Sequence, residues 1–146
     1  MGAGNLARWA HLPNLQKTPG VELRAVYSAS GARGKSYALR FGAAYACSAY
    51  EEILRDPEIA AVLIASRNQD HASQAEAALR SGKHVFVEKP LAVDLPTAEA
   101  IGDAVARAGL ITAVGHHWRY LDSIDQVRDL LRDHQVRLAQ GYWLDF

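Results

Sequence analysis

The sequence predicts an α/β fold built on a doubly wound parallel sheet. Short apolar runs alternate along the chain with amphipathic segments, the pattern of strands joined by crossover helices. One run, Ile59 to Ala65, is apolar throughout, as suits a parallel strand covered on both faces. A glycine turn, Gly2-Ala3-Gly4, opens the first helical segment. With 146 residues, 49% hydrophobic and 22% charged, the chain can bury one core of ordinary size and is no disordered tail.

Asn5 to Lys17 reads as a first helix, kinked or split by Pro13. Val21 to Tyr27 alternates like a strand. Ala32 to Phe41 is a second helix stopped by Gly42. A short strand at Ala43 to Ala46 and a one-turn helix at Glu51 to Arg55 follow, ended by Asp56-Pro57. After the strand Ile59–Ala65, His71 to Ser81 is a helix with Gly82 as its cap, and His84 to Val87 is the next strand. Asp94 begins a helix with Pro96 in its first turn. Ala98, Ile101, Val105 and Ala108 form its buried stripe, and Gly109 closes it. Leu110 to Val114 is a further strand. Ser123 to Asp133 is a last helix with Ile124, Val127 and Leu131 turned inward, and Val136 to Phe146 is one more strand.

Composition narrows the function. Sixteen Lys plus Arg balance sixteen Asp plus Glu, so no net field draws the chain to nucleic acid or an acidic membrane. The longest apolar run is too short to span a bilayer, and no secretory signal is visible. The single Cys47 cannot form an internal disulfide and reads as a small core residue in a reducing, cytoplasmic setting.

Gly2-Ala3-Gly4-Asn5-Leu6-Ala7 matches G-x-G-x-x-G/A, the turn of a Rossmann-like sheet. The first glycine allows a tight bend, the second lets the backbone approach a pyrophosphate, and the helix N-terminus offers N–H donors to it. The motif should follow a buried strand, yet only Met1 precedes it. The first strand of the sheet is therefore read as missing, through a start-site error or a genuine truncation. The carboxylate expected about twenty residues on, which would hold an adenosine ribose hydroxyl, is absent. That strand ends Tyr27-Ser28-Ala29-Ser30-Gly31-Ala32-Arg33, where two hydroxyls and an Arg suit a phosphate, which favours NADP over NAD. The plainer alternative has Ser30 capping the next helix and Arg33 solvated.

His84-Val-Phe-Val-Glu88-Lys89-Pro90 sets a Glu and a Lys at the carboxyl end of a buried strand, where open α/β sheets bind ligands. Lys89 there can give a hydrogen bond or proton to a substrate oxygen, with Glu88 orienting it. A surface ion pair is the alternative.

Asn68-Gln69-Asp70-His71, Ala78-Leu79-Arg80-Ser81-Gly82-Lys83-His84-Val85 and Glu88-Lys89-Pro90-Leu91-Ala92 together resemble the Gfo/Idh/MocA oxidoreductases, relatives of glucose–fructose oxidoreductase and inositol 2-dehydrogenase. Tyr50-Glu51-Glu52-Ile53-Leu54 and Gly115-His116-His117-Trp118-Arg119-Tyr120 fall in the family's order. The resemblance implies a nicotinamide-dependent oxidoreductase that moves a hydride between NADP or NAD and a sugar, inositol or related hydroxy compound. It implies Gly2, Gly4, Asn5 and Leu6 at the pyrophosphate, and Ser28, Ser30 and Arg33 at the adenosine ribose. Ser66, Asn68 and His71 would lie beside the cofactor, Glu88 and Lys89 would face nicotinamide and substrate, and Arg119 would stand where two domains join. Residues 1–120 would be the nucleotide-binding domain, and 121–146 the helix and first strand of an α+β substrate domain through whose sheet relatives form homo-oligomers. His71 and His117 lack a third ligand of suitable spacing, so no metal site is expected.

Departures accompany the matches. Arg67 stands where the family commonly has Pro, and Ala29 where NADP-using members often carry Arg, so the NADP preference rests on Arg33. With only the start of a second domain, low turnover is expected of this chain. A non-catalytic dinucleotide-binding module and an inactive gene fragment are the competing readings.

Overall fold

Pro13 has no N–H to return to the carbonyl one turn earlier, and the first helix is split beside it into a wider and an α-helical segment. Ala7–His11 is a π-helical turn in which the Leu12 N–H bonds to the Ala7 carbonyl, and α1 (Leu12–Lys17) continues from it with Pro13 in its first turn. The computed structural model describes residues 4–135, 137–138 and 140.

The chain forms two compact units, Met1–Gly115 and His116–Phe146. In the first, β1 (Ala25–Tyr27) is followed by α2 (Gly31–Phe41), β2 (Tyr45–Cys47), α3 (Tyr50–Arg55) and β3 (Ala61–Ile64). Next come α4 (Asn68–Arg80), β4 (His84–Val87), α5 (Leu95–Ala108) and β5 (Thr112–Val114). Gly42 ends α2 at φ 74°, a left-handed conformation that glycine adopts without penalty. Asp94 caps α5 by accepting the Thr97 N–H at 2.8 Å. Ser30 stands at the N-cap of α2, but its hydroxyl makes no capping bond.

All pairings are parallel. β1 runs beside β2, and β4 lies between β3 and β5. The two groups are not hydrogen-bonded to each other among the described residues. Strands are shorter than their apolar runs: ladder pairing covers 25–27 of the expected 21–27, and Ala61–Ile64 of Ile59–Ala65. The expectation that this run is covered on both faces is also corrected. Ala60 and Ala61 are exposed while Ile59, Val62 and Ile64 are buried, so the run is covered over only part of its length.

Alternation sends β1 side chains to opposite faces. Val26 joins Ala7, Leu12, Tyr37, Ala38 and Phe41 beneath the first helix and α2. Ala25 and Tyr27 pack on the other face against a larger core that runs from Cys47 and Ile53 through Val62, Ile64, Ala75 and Leu79 to Val87. That core spans both strand groups, so packing joins what the ladder does not.

The second unit holds a 3-10 turn, His117–Tyr120, and α6 (Asp122–Leu131). The expected inward stripe of α6 is not observed: Ile124, Val127 and Leu131 are 39%, 49% and 43% exposed, because no described element of that unit covers them. Of the expected strand 136–146, Arg137, Leu138 and Gln140 are described and are not in a strand. The rest lies outside the described residues.

Candidate functional site at the carboxyl edge of the sheet

Glu88 is the centre of the carboxyl edge. It follows β4, is 8% exposed, and its backbone N–H bonds the Ile64 carbonyl, so both main chain and side chain are fixed. One carboxylate oxygen accepts the ring N–H of His11 at 2.8 Å, and the other accepts the backbone N–H of Lys89 at 3.2 Å. Gly115 lies against the same group: a Cβ there would stand 2.9 Å from its carboxylate atoms. Glu88 thus holds the Lys89 main chain, and the surface ion pair named as the alternative is not found among the described residues. A carboxylate this buried takes donors that already sit in the interior, and the exposed ammonium stays with solvent.

His71 is 1% exposed, on the first turn of α4. Its Nδ1–H donates to the Pro90 carbonyl at 2.7 Å, while Nε2 has no partner among the described residues. It lies beneath the Glu-Lys-Pro segment, because α4 packs on β3 and β4 and turns this face inward. Ser66, after β3, donates its hydroxyl to Gln74 Oε1 at 2.7 Å, and Asn68 is exposed at the start of α4.

After β1, Ser28 is buried and its N–H bonds the Cys47 carbonyl at 3.1 Å. Gly34 lets α2 approach that turn, since a Cβ there would lie 3.3 Å from the Ser28 Cβ. Ser30 and Arg33 are exposed beside it, and Arg33 has no ion pair among the described residues. Gly4, Asn5 and Leu6 open the first helix, Gly4 accepting the Arg8 N–H at 3.2 Å, whereas Gly2 lies outside the described residues. Arg119 is exposed in the 3-10 turn of the second unit. No cluster of three His, Cys, Asp or Glu able to hold a metal ion occurs among the described residues, and none of their helices is long and apolar enough to cross a membrane.

His11 and Gly115 escaped the sequence reading. His11 follows Ala7 by four positions and shares its helix face, which was a usable signal. Gly115 carries no local signal of its close approach to Glu88, which lies 27 positions earlier in the chain.

The opposite, amino edge is a polar seam. Asp56 accepts Arg24 Nε at 3.1 Å, the Tyr45 hydroxyl at 2.9 Å and the Glu58 N–H at 2.9 Å. The Glu58 amide first, and then Tyr45 and Arg24, hold its carboxyl below the ordinary value. Burial, then the bond to Asp56, pushes Tyr45 up to about 12. Lys83, 4% exposed, donates from Nζ to the Asp56 and Ile59 carbonyls, both at 2.8 Å, which explains its burial as structural.

A wound parallel sheet with hydroxyl, amide and ammonium groups on the loops of its carboxyl edge defines a nucleotide-binding α/β domain. The family model of an oxidoreductase family with an NAD-binding Rossmann fold matches residues 1–116, and the chain belongs to that family, Gfo/Idh/MocA. The chain is 33% identical over 136 residues to 1,5-anhydro-D-fructose reductase from Ensifer adhaerens, covering 93% of this chain and 40% of that protein. It is 31% identical over 146 residues to dTDP-3,4-didehydro-2,6-dideoxy-alpha-D-glucose 3-reductase from Actinomadura kijaniata, covering 100% of this chain and 44% of that protein. Among solved structures it resembles the 3-ketoreductase KijD10 from Actinomadura kijaniata, in complex with NADP and TDP-benzene. The TM-score is 0.83 at 31% identity, over 90% of this chain and 40% of that one. It also resembles apo scyllo-inositol dehydrogenase from Lactobacillus casei, with a TM-score of 0.81 at 28% identity, over 88% and 39% of the two chains. The chain thus spans about 40% of the length of these relatives.

Proposed function

We propose that residues 1–120 form the cofactor domain of an NADP-linked oxidoreductase acting on a sugar, inositol or related hydroxy compound, with 121–146 beginning its substrate domain. The single observation that carries this reading is the clamp on Glu88. By fixing the backbone N–H of Lys89 at the end of β4, it sets an exposed ammonium at a defined place on the ligand-binding edge.

The residues present fit a dinucleotide. Ser28 is buried and held close to α2 by Gly34, so Ser30 and Arg33 stand on a rigid turn with no carboxylate to repel a ribose phosphate. Arg33 would pair with that phosphate, Gly2, Gly4, Asn5 and Leu6 would hold the pyrophosphate, and Ser66 and Asn68 would line the nicotinamide side. His71 supports this edge from below, and Arg119, near the end of the cofactor domain, would meet cofactor or substrate. When bound, the nicotinamide supplies the site for hydride exchange. Lys89 donates a hydrogen bond to the substrate oxygen and gives or takes its proton, and Glu88 keeps Lys89 in place without touching the substrate.

Titration of the chain with NADPH and NADH, followed by nicotinamide fluorescence and thermal melting together, tests this reading. Saturable binding with a raised Tm is expected for NADPH and weaker binding for NADH, with Arg33→Ala removing the difference. Equal binding of both by the unchanged chain would overturn the NADP assignment, and binding of neither would overturn the cofactor domain itself.

A further inference from the structure

We propose that His11 is a positioning residue for Lys89. Its ring N–H holds the Glu88 carboxylate in the orientation that keeps the Lys89 backbone N–H bound. The role rests on the reading of Lys89 as the group that exchanges a proton with substrate, and it names the residue on which that placement depends.

Phe86 in β4 and Glu88 just after it are two positions apart, so their side chains leave the sheet on the same face. His11 covers both. Its ring meets Phe86 edge-on, with centroids 5.6 Å apart and planes at 66°, and its Nε2 lies 2.8 Å from Glu88 Oε1. A carboxylate only accepts, so Nε2 carries the proton in this bond. The contact with Phe86 fixes the plane of the imidazole, and with it the direction of the N–H. The wide turn Ala7–His11 aims this ring. In such a turn the residues four and five positions beyond Ala7 return to nearly the same face. Leu12 is thereby buried with Val26, Tyr37 and Phe41, while the adjacent His11 reaches Glu88 beside a groove of about 680 Å³ next to β1.

Glu88 has few other ways to stand. Of its two bonds the one to His11 is the shorter, at 2.8 Å against 3.2 Å for the Lys89 N–H. Gly115 closes a further side, since even a Cβ there would lie 2.9 Å from the carboxylate. Without the imidazole, one oxygen of a buried carboxylate loses its donor, and the side chain recovers one by turning toward water. That turn takes the other oxygen away from Lys89 and releases its amide. The strand itself stays closed, because the Glu88 N–H bonds the Ile64 carbonyl and the Gly115 N–H bonds that of Val87. A merely structural His11 would instead loosen all three amides together.

Amide hydrogen exchange in two variants tests the proposal without any nucleotide, so its failure is distinct from failure of the NADPH titration. His11→Gln places an amide N–H at the reach of Nε2, and His11→Asn falls short of it by one methylene. The Lys89 amide is expected to exchange at least about tenfold faster in His11→Asn and at the wild-type rate in His11→Gln. The Glu88 and Gly115 amides should be unchanged in both. Wild-type exchange at Lys89 in His11→Asn, or faster exchange at all three amides together, would overturn the positioning role. Fast exchange at Lys89 in a folded His11→Gln chain would overturn it alone, whatever the fate of His11→Asn.

Discussion

The two faces of the sheet are built to different standards. On one, α3 and α4 cover a core that crosses from Cys47 to Val87 without interruption, and Ile64 and Ala78 are wholly excluded from solvent. On the other, the first helix and α2 cover Val26, Tyr37 and Phe41, and the cluster stops at the groove beside β1. Cohesion between β1–β2 and β3–β4–β5 therefore comes from side-chain burial on one face and from the Asp56 seam at one edge, while backbone pairing joins strands within each group.

The largest effect expected from this difference is at Ile64. Ile64→Ala leaves a cavity with nothing free to collapse into it and should cost about 2–5 kcal/mol in denaturant unfolding. At the carboxyl edge, Gly115→Ala places a methyl group against the Glu88 carboxylate and should cost about 1–3 kcal/mol. Replacing Glu88 by Gln as well should not relieve the clash, because the amide occupies the same volume. Val26→Ala, on the weaker face, should cost about 1.5 kcal/mol, near the transfer value of two methylenes, since the groove can absorb the void. A loss at Val26 equal to that at Ile64 would break the comparison.

The seam should give the smallest effect and the clearest pH signature. The Asp56 carboxyl titrates below its ordinary value in the folded chain, so its contribution is present above that value and is lost as pH falls through the folded one. Wild type and Asp56→Asn should therefore differ in denaturation midpoint at neutral pH and converge in acid. At the alkaline end the sign reverses. Tyr45, raised to about 12, contributes below its ordinary value and loses that contribution as pH rises through about 12, which phenol absorbance can follow. A Tyr45→Phe chain should lack that alkaline transition.

Local signals carried much of the fold. Gly42 and Gly109 mark helix ends because a left-handed residue there favours glycine, and Asp94 was legible as a cap from the Pro and Thr that follow it. The strand His84–Val87 was read with its observed bounds. Strand ends elsewhere were overdrawn, since apolar character at Val21 or Ala65 continues past the point where a neighbouring strand is present to pair. In α6 the helical period was correct, but the burial inferred from it was not, because periodicity reports which residues share a face and nothing about what covers it.

The sequence by itself determined the order of helices and parallel strands and the place of the Glu-Lys-Pro segment at a strand end. These follow from backbone stereochemistry and from the spacing of apolar residues, both local. Only the tertiary structure decided that Glu88 answers to His11, 77 positions away, and leans on Gly115, leaving Lys89 free of its neighbour. It also decided that His71 lies under Pro90. A buried charge or imidazole must find its donors and acceptors among the groups that packing brings to it, and which groups those are is settled by how sheet and helices meet.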